Sequence, residues 1–164
     1  NGIGHIKAVG NYAGGMMVTR EVREKGADEA LYLDPETHQY IEETNSSNVL
    51  FVDSEGALVT PNSEAILPSI TLNSILELAE KVLSMPVARR RIAVSELETF
   101  KEMGACGTAV TLAQVEKVLL GDNWVSFEHD NTGGLASLYQ KLMAIQSGDS
   151  EDPFGWVLDA YSPK

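Results

Sequence analysis

Four short stretches of this chain carry side chains able to do covalent or acid–base chemistry. Lys7, in Gly-His-Ile-Lys-Ala-Val-Gly-Asn-Tyr-Ala (4–13), offers an amine, which when desolvated has a lowered pKa and can attack a carbonyl carbon or act as a base. Taken alone, a lysine is far more often a solvated surface residue. Glu42 and Glu43, in Tyr-Ile-Glu-Glu-Thr-Asn-Ser-Ser-Asn (40–48), are adjacent carboxylates that an extended backbone would point in opposite directions, and their types alone do not say which faces a site. Thr71, in Leu-Pro-Ser-Ile-Thr (67–71), opens an apolar periodic run. A hydroxyl and free backbone N–H groups at a helix start can receive an anion such as a phosphate, and the same geometry serves a Thr71 that merely caps the helix. In Ala-Cys-Gly-Thr-Ala-Val (105–110), Gly107 permits close approach of backbone and Thr108 adds a hydroxyl.

Other chemistries find little support. His5, His38 and His129 are far apart and show no His-x-x-x-His spacing, so no metal site is expected. Cys106 is the only cysteine and cannot form an internal disulfide, and no signal-like or membrane-spanning apolar run is present. Together these point to a reducing compartment, the cytoplasm. Twelve basic residues against 24 acidic ones give a net charge of −12, which repels nucleic-acid phosphates and anionic membranes, so neither is an expected partner. Arg89-Arg90-Arg91 reads as the solvated edge of a short strand. Gly10-Asn-Tyr-Ala-Gly-Gly15 and Asn131-Thr-Gly-Gly134 lack the preceding apolar strand that a dinucleotide loop needs.

The elements that must position these residues are legible in outline. Residues 11–25 have helical apolar spacing that ends at Gly26, and ALYLD (30–34) reads as a strand turned by Asp34-Pro35-Glu36-Thr37 into a hairpin with Tyr40-Ile41. NVLFV (48–52) and ALVT (57–60) form a second antiparallel pair across Asp53-Ser54-Glu55-Gly56. Thr71 is expected to cap an amphipathic helix with Leu72, Ile75, Leu76, Leu78, Ala79, Val82 and Leu83 on one face. A strand is predicted at RRIAV (90–94), then a short helix from Ser95 to Phe100, strand pieces from Lys101 to Val118 around Gly107, and a helix near 135–146. An acidic linker (148–152) precedes the apolar Phe154-Gly155-Trp156-Val157-Leu158. Irregular mixing of strands and helices predicts an α+β fold, and 164 residues with 43% hydrophobic and 22% charged side chains predict one domain spanning 1–164.

In order and spacing, the four stretches resemble the branched-chain amino acid aminotransferases, fold-type IV enzymes that use pyridoxal 5′-phosphate, and the resemblance covers nearly the whole chain. It implies the family's large cofactor-binding domain, of the D-amino-acid aminotransferase-like fold. Residue by residue, it implies that Lys7 holds the cofactor through a Schiff base and later moves a proton from the substrate α-carbon to the cofactor C4′. It further implies that Tyr12 contacts the phenolic oxygen, that Glu43 keeps the pyridine nitrogen protonated, and that Ile70, Thr71 and Thr108 receive the phosphate. Ser46 would border the substrate and the Ala109 backbone would receive its carboxylate. Against the family pattern, Asn45 and Ser69 replace glycines, Leu72 an arginine and Gln114 a proline.

The implied reaction is transamination between a branched-chain L-amino acid and 2-oxoglutarate, in a homodimer. A D-amino-acid aminotransferase or an aminodeoxychorismate lyase would reuse the same lysine and glutamate, although the Gly10-Asn-Tyr-Ala13 and LPSIT wording favours the branched-chain group. The family also implies a smaller N-terminal domain, with an arginine for the cofactor phosphate, ahead of the lysine. With Lys7 so near the start, that domain is expected to be missing and the chain to be a fragment that needs a complement. A catalytically silent domain serving assembly is the reading from a different class.

Overall fold

In the computed structural model, residues 2–158 are described. The organising element is β3 (Asn48–Val52), in which every residue is buried. Successive strand side chains point to opposite faces, so Leu50 and Val52 enter one core and Val49 and Phe51 another. A β-branched and aromatic run bounded by Asp53 and Gly56 thus becomes the centre of a seven-stranded sheet rather than a strand with a wet face.

Strand β6 (Glu102–Gly107) runs antiparallel to β3 along its whole length, from Asn48↔Cys106 to Val52↔Glu102. The other edge of β3 is divided between β2 (Ile41–Thr44), paired at Glu43↔Asn48, and β4 (Leu58–Pro61), paired at Phe51↔Val59 and Val52↔Leu58. The expected hairpin of β1 (Leu31–Leu33) with β2 extends the sheet on one side, and β7 (Thr111–Val115) adds to β6 on the other. Helix α2 (Ile70–Lys81) connects β4 to β5 (Val87–Arg90), the one parallel pair among these strands. The fold is α+β, as the irregular element pattern predicts.

On one face, α2 and α3 (Gly134–Ser147) cover Leu50, Val52, Leu58 and Cys106 with Leu72, Ile75, Leu76, Leu135, Leu138 and Ile145. On the other, a 3₁₀ turn at Val94–Thr99 and the ribbon of β8 (Lys117–Leu120) with β9 (Asn123–Ser126) close over Ile41, Phe51, Ile92, Leu97, Phe100 and Val125. Phe51 and Phe100 pack there with rings tilted by 30° and centroids 4.7 Å apart. Helix α1 (Val9–Glu24) contributes no buried residue to either core.

Two local expectations are corrected. The strand predicted at 90–94 runs instead from Val87 to Arg90, because pairing with β4 ends at Pro61↔Arg90. The chain then turns Ile92 into the second core, and only an isolated bridge joins Ala93 to Tyr40. All three arginines are exposed, and Arg91 lays its guanidinium 3.7 Å from the centre of the Tyr40 ring. Thr71 does not cap α2. That role falls to Ser69, whose Oγ accepts from Leu72 N–H at 3.1 Å while Thr71 lies in the first turn.

Candidate functional site

Lys7 lies in a short loop ahead of α1 that is held from two sides. Asn11, one turn into the helix, donates from Nδ2 to the carbonyls of Ile3 and Ile6, both at 2.9 Å. A Cβ at Gly4 would collide with the backbone carbonyl of Ala65, so only glycine lets this loop lie against the segment that leads to α2. Lys7 lines a cleft of about 1040 Å³ whose walls also include Tyr12, Glu43, Ser46, Asn48 and Leu67. Lys7 itself is solvent-exposed, contrary to the desolvated lysine its chemistry calls for. Tyr12 is half-exposed on α1.

Glu43 is the most perturbed group in the cleft. Its carboxylate accepts from Asn48 Nδ2 at 3.2 Å and from Leu67 N–H at 3.3 and 3.4 Å. Burial pushes its carboxyl up to about 7; the Leu67 N–H opposes this and the neighbouring Glu42 charge adds to it. Glu42 is half-buried too and accepts from Ser63 Oγ at 2.7 Å. The alternation along β2 therefore separates the two carboxylates by partner, with the Asn48 and Leu67 donors on Glu43 alone.

Ile70, Thr71, Thr108 and Ala109 do not line this cleft. They stand beside it on two segments anchored to it. Leu67, a wall residue, leads through Pro68 and Ser69 into α2. There the helix geometry leaves the Ile70 and Thr71 N–H groups without intrahelical acceptors at the positive end of the dipole. Thr108 and Ala109 form the exposed turn between β6 and β7, and a Cβ on the preceding Gly107 would lie 3.8 Å from Ser46 O and Ser47 Oγ. This places the β6–β7 turn against the β2–β3 turn that carries Ser46. Thr111 closes the turn at φ 58, a region that β-branched residues seldom occupy.

The model for the Amino-transferase class IV family matches residues 5–118, which span the lysine loop, the glutamate strand, the α2 start and the β6–β7 turn. The chain belongs to the class IV aminotransferases. It is 38% identical to a branched-chain-amino-acid aminotransferase of Helicobacter pylori over 159 residues, covering 96% of this chain and 46% of that protein. Among solved structures, it is similar to the branched-chain amino acid aminotransferase of Escherichia coli, with a TM-score of 0.80 and 29% identity over 93% of this chain and 50% of that one. It is also similar to that of Thermobaculum terrenum in its PLP-form, with a TM-score of 0.76 and 29% identity over 86% of this chain and 44% of that one. The chain spans about half the length of the relatives it matches.

Within this class IV chain, the residues that depart from the family pattern have structural partners. Asn45 Oδ1 accepts from Ala30 N–H at 3.1 Å, Ser69 caps α2, and Leu72 is buried against the helix-side core. Gln114 Nε2 donates to the Asp130 carbonyl at 2.8 Å, while its buried Oε1 has no hydrogen-bond partner among the described residues. Sequence reasoning missed four residues that shape the site: Gly4, Asn11, Asn48 and Glu29. The first three lie inside the quoted stretches and could have been flagged as a glycine and two amides beside reactive side chains. Glu29, whose carboxylate accepts from Ser46 Oγ, is 17 residues away in the chain and had no local signal. No group of three or more His, Cys, Asp or Glu side chains placed to hold a metal occurs among the described residues, and no helix there is long and apolar enough to cross a membrane.

Proposed function

We propose that this chain is the cofactor-bearing domain of a pyridoxal-phosphate-dependent transaminase that works between a branched-chain L-amino acid and 2-oxoglutarate. The observation that carries the reading is the convergence of Lys7, Tyr12 and Glu43 on one cleft in a class IV chain. The donor set fits the cofactor: an amine for an aldehyde, a half-buried carboxylate for a pyridine nitrogen, and unpaired N–H groups at a helix start for a phosphate. Pyridoxal phosphate, when bound, supplies an aldehyde carbon that captures amines and a ring that accepts electron density.

Lys7 would hold the cofactor through its amine and, once free, would serve as the base that moves the proton of the substrate α-carbon. Glu43 would keep the proton on the ring nitrogen; a carboxylate in a desolvated setting binds such an N–H strongly. Tyr12 orients the phenolic oxygen. The Ile70 and Thr71 N–H groups and Thr108 receive the phosphate, the Ala109 backbone receives the substrate carboxylate, and Ser46 borders the substrate. The names of the relatives support the branched-chain preference.

Lys7 is exposed, and α1 leaves Val9, Met16 and Met17 at 89%, 71% and 74% exposure. These features support a working site that is completed by further protein, either a complementary domain or the second copy of a homodimer. A single, buried cysteine supports a cytoplasmic setting.

Adding pyridoxal phosphate to the purified chain is expected to produce a near-visible absorption band that Lys7→Ala abolishes. A band that survives Lys7→Ala would refute the assignment of Lys7. Turnover of leucine with 2-oxoglutarate tests the reaction. A cofactor band without turnover would count against transamination by this chain alone.

A further inference from the structure

We propose that Asn48 is a positioning residue that locks the two ends of the cofactor cradle to one another, its side-chain amide tying the Glu43 carboxylate to Leu67. The inference rests on the reading of the cleft as a pyridoxal phosphate site and names a residue to which that reading gives no role. Asn48 is one of few buried polar residues in the chain, 5% exposed at the start of the central strand. One of its amide hydrogens goes to Glu43 Oε2 at 3.2 Å and the other to the Leu67 carbonyl at 3.1 Å. Leu67 N–H completes the loop by donating to the same Glu43 carboxylate.

Each arm of this arrangement leads to a different part of the cradle. Glu43 is the cross-strand partner of Asn48, so the backbone register fixes the pair on neighbouring strands. Leu67 is three residues from Ile70, where the free N–H groups of α2 begin. On its other edge, Asn48 pairs with Cys106, two residues before Thr108. A single residue thus stands at the crossing of the nitrogen-binding carboxylate and both phosphate-binding segments.

The chemistry selects asparagine. Two acceptors, a carboxylate oxygen and a carbonyl oxygen, need two donors from one short side chain. Aspartate would present acceptors to acceptors, serine has one hydrogen, and leucine would remove both Asn48 donors, leaving the Glu43 carboxylate with Leu67 N–H alone. Burial makes each of these losses costly.

The test uses NMR of the cofactor-free chain, so it does not depend on the cofactor reading. In the wild type, the Asn48 side-chain amide signals are expected to shift with pH at the same midpoint as the Glu43 carboxyl, and Glu43→Gln should remove that shift. Asn48→Asp and Asn48→Leu, by removing the donor to the Leu67 carbonyl that holds this segment against Glu43, are each expected to speed hydrogen exchange of the Leu67 amide about tenfold, the factor for one lost hydrogen bond. They should also raise the Glu43 midpoint by about one pH unit, while amides of Ala105 and Ala113 keep their protection. Asn48 signals indifferent to Glu43 ionisation overturn the proposal even if both variants fail to fold; so does unchanged Leu67 exchange in a folded variant. Absence of a cofactor band in the wild type would instead count against the pyridoxal phosphate reading, and the two failures are read in separate experiments.

Discussion

Replacing Glu43 by glutamine should make the folded chain more stable at alkaline pH. The raise of its carboxyl from the ordinary 4.5 to about 7 means that, between those two values, the folded chain holds a proton that the unfolded chain has released. Stability therefore falls as pH rises through this window and stays reduced above it. At about 1.4 kcal/mol per factor of ten in proton affinity, the unscreened effect is about 3.4 kcal/mol. Water reaching the half-buried carboxylate screens that to about 1–2 kcal/mol.

Glutamine has nearly the same shape, keeps an amide oxygen to accept from Asn48 or Leu67, and carries no charge to desolvate. Urea unfolding followed by tryptophan fluorescence from pH 4 to 8, at the same pH for both proteins, isolates the effect. Other carboxylates cancel in the comparison. Asp34, for example, is raised by burial but held well below the usual range by hydrogen bonds from Tyr40, Thr37 and Gln39, and it loses its contribution only as pH falls. The two curves should meet near pH 4 and separate by about 1–2 kcal/mol at pH 8, with the Glu43→Gln variant the more stable. A difference that does not change with pH would refute the reasoning. The same variant is expected to hold pyridoxal phosphate less well, the usual exchange of stability for function at a site.

Three further perturbations test the frame of the site. Gly133→Ala places a Cβ 2.6 to 2.8 Å from the Glu102 carboxylate, which cannot move away because Gly134 and Leu135 N–H hold it at 2.8 and 2.9 Å; thermal unfolding should show a loss of about 1–3 kcal/mol. Ser69→Ala removes the cap from Leu72 N–H and should cost about 1 kcal/mol by urea unfolding. Weakened pyridoxal phosphate retention should accompany it if the α2 start holds the phosphate. Cys106, fully buried with a thiol that burial pushes up to about 12, should resist iodoacetamide in the folded chain at pH 8 and react on unfolding in urea, as mass spectrometry would show.

What the sequence determined by itself was everything carried by short-range periodicity. The alternation in NVLFV places Val49 and Phe51 opposite Leu50 and Val52, and the spacing of Leu72, Ile75, Leu76 and Ala79 makes one buried helix face; both follow from backbone geometry within a few residues. The chemical types and order of Lys7, Tyr12, Glu43 and Thr108 were equally plain, which is why the family could be seen. Tertiary structure decided the pairings over long chain separations: Leu67 with Glu43, Ser63 with Glu42, Glu29 with Ser46, and Glu102 with the start of α3. Nothing local distinguishes Glu42 from Glu43, and the cap of α2 fell to Ser69 rather than the expected Thr71, because capping depends on where the preceding loop lets the chain begin to turn. Such choices are made by the register of β2, β3 and β6, where burial leaves each polar group only the partners that folding brings to it.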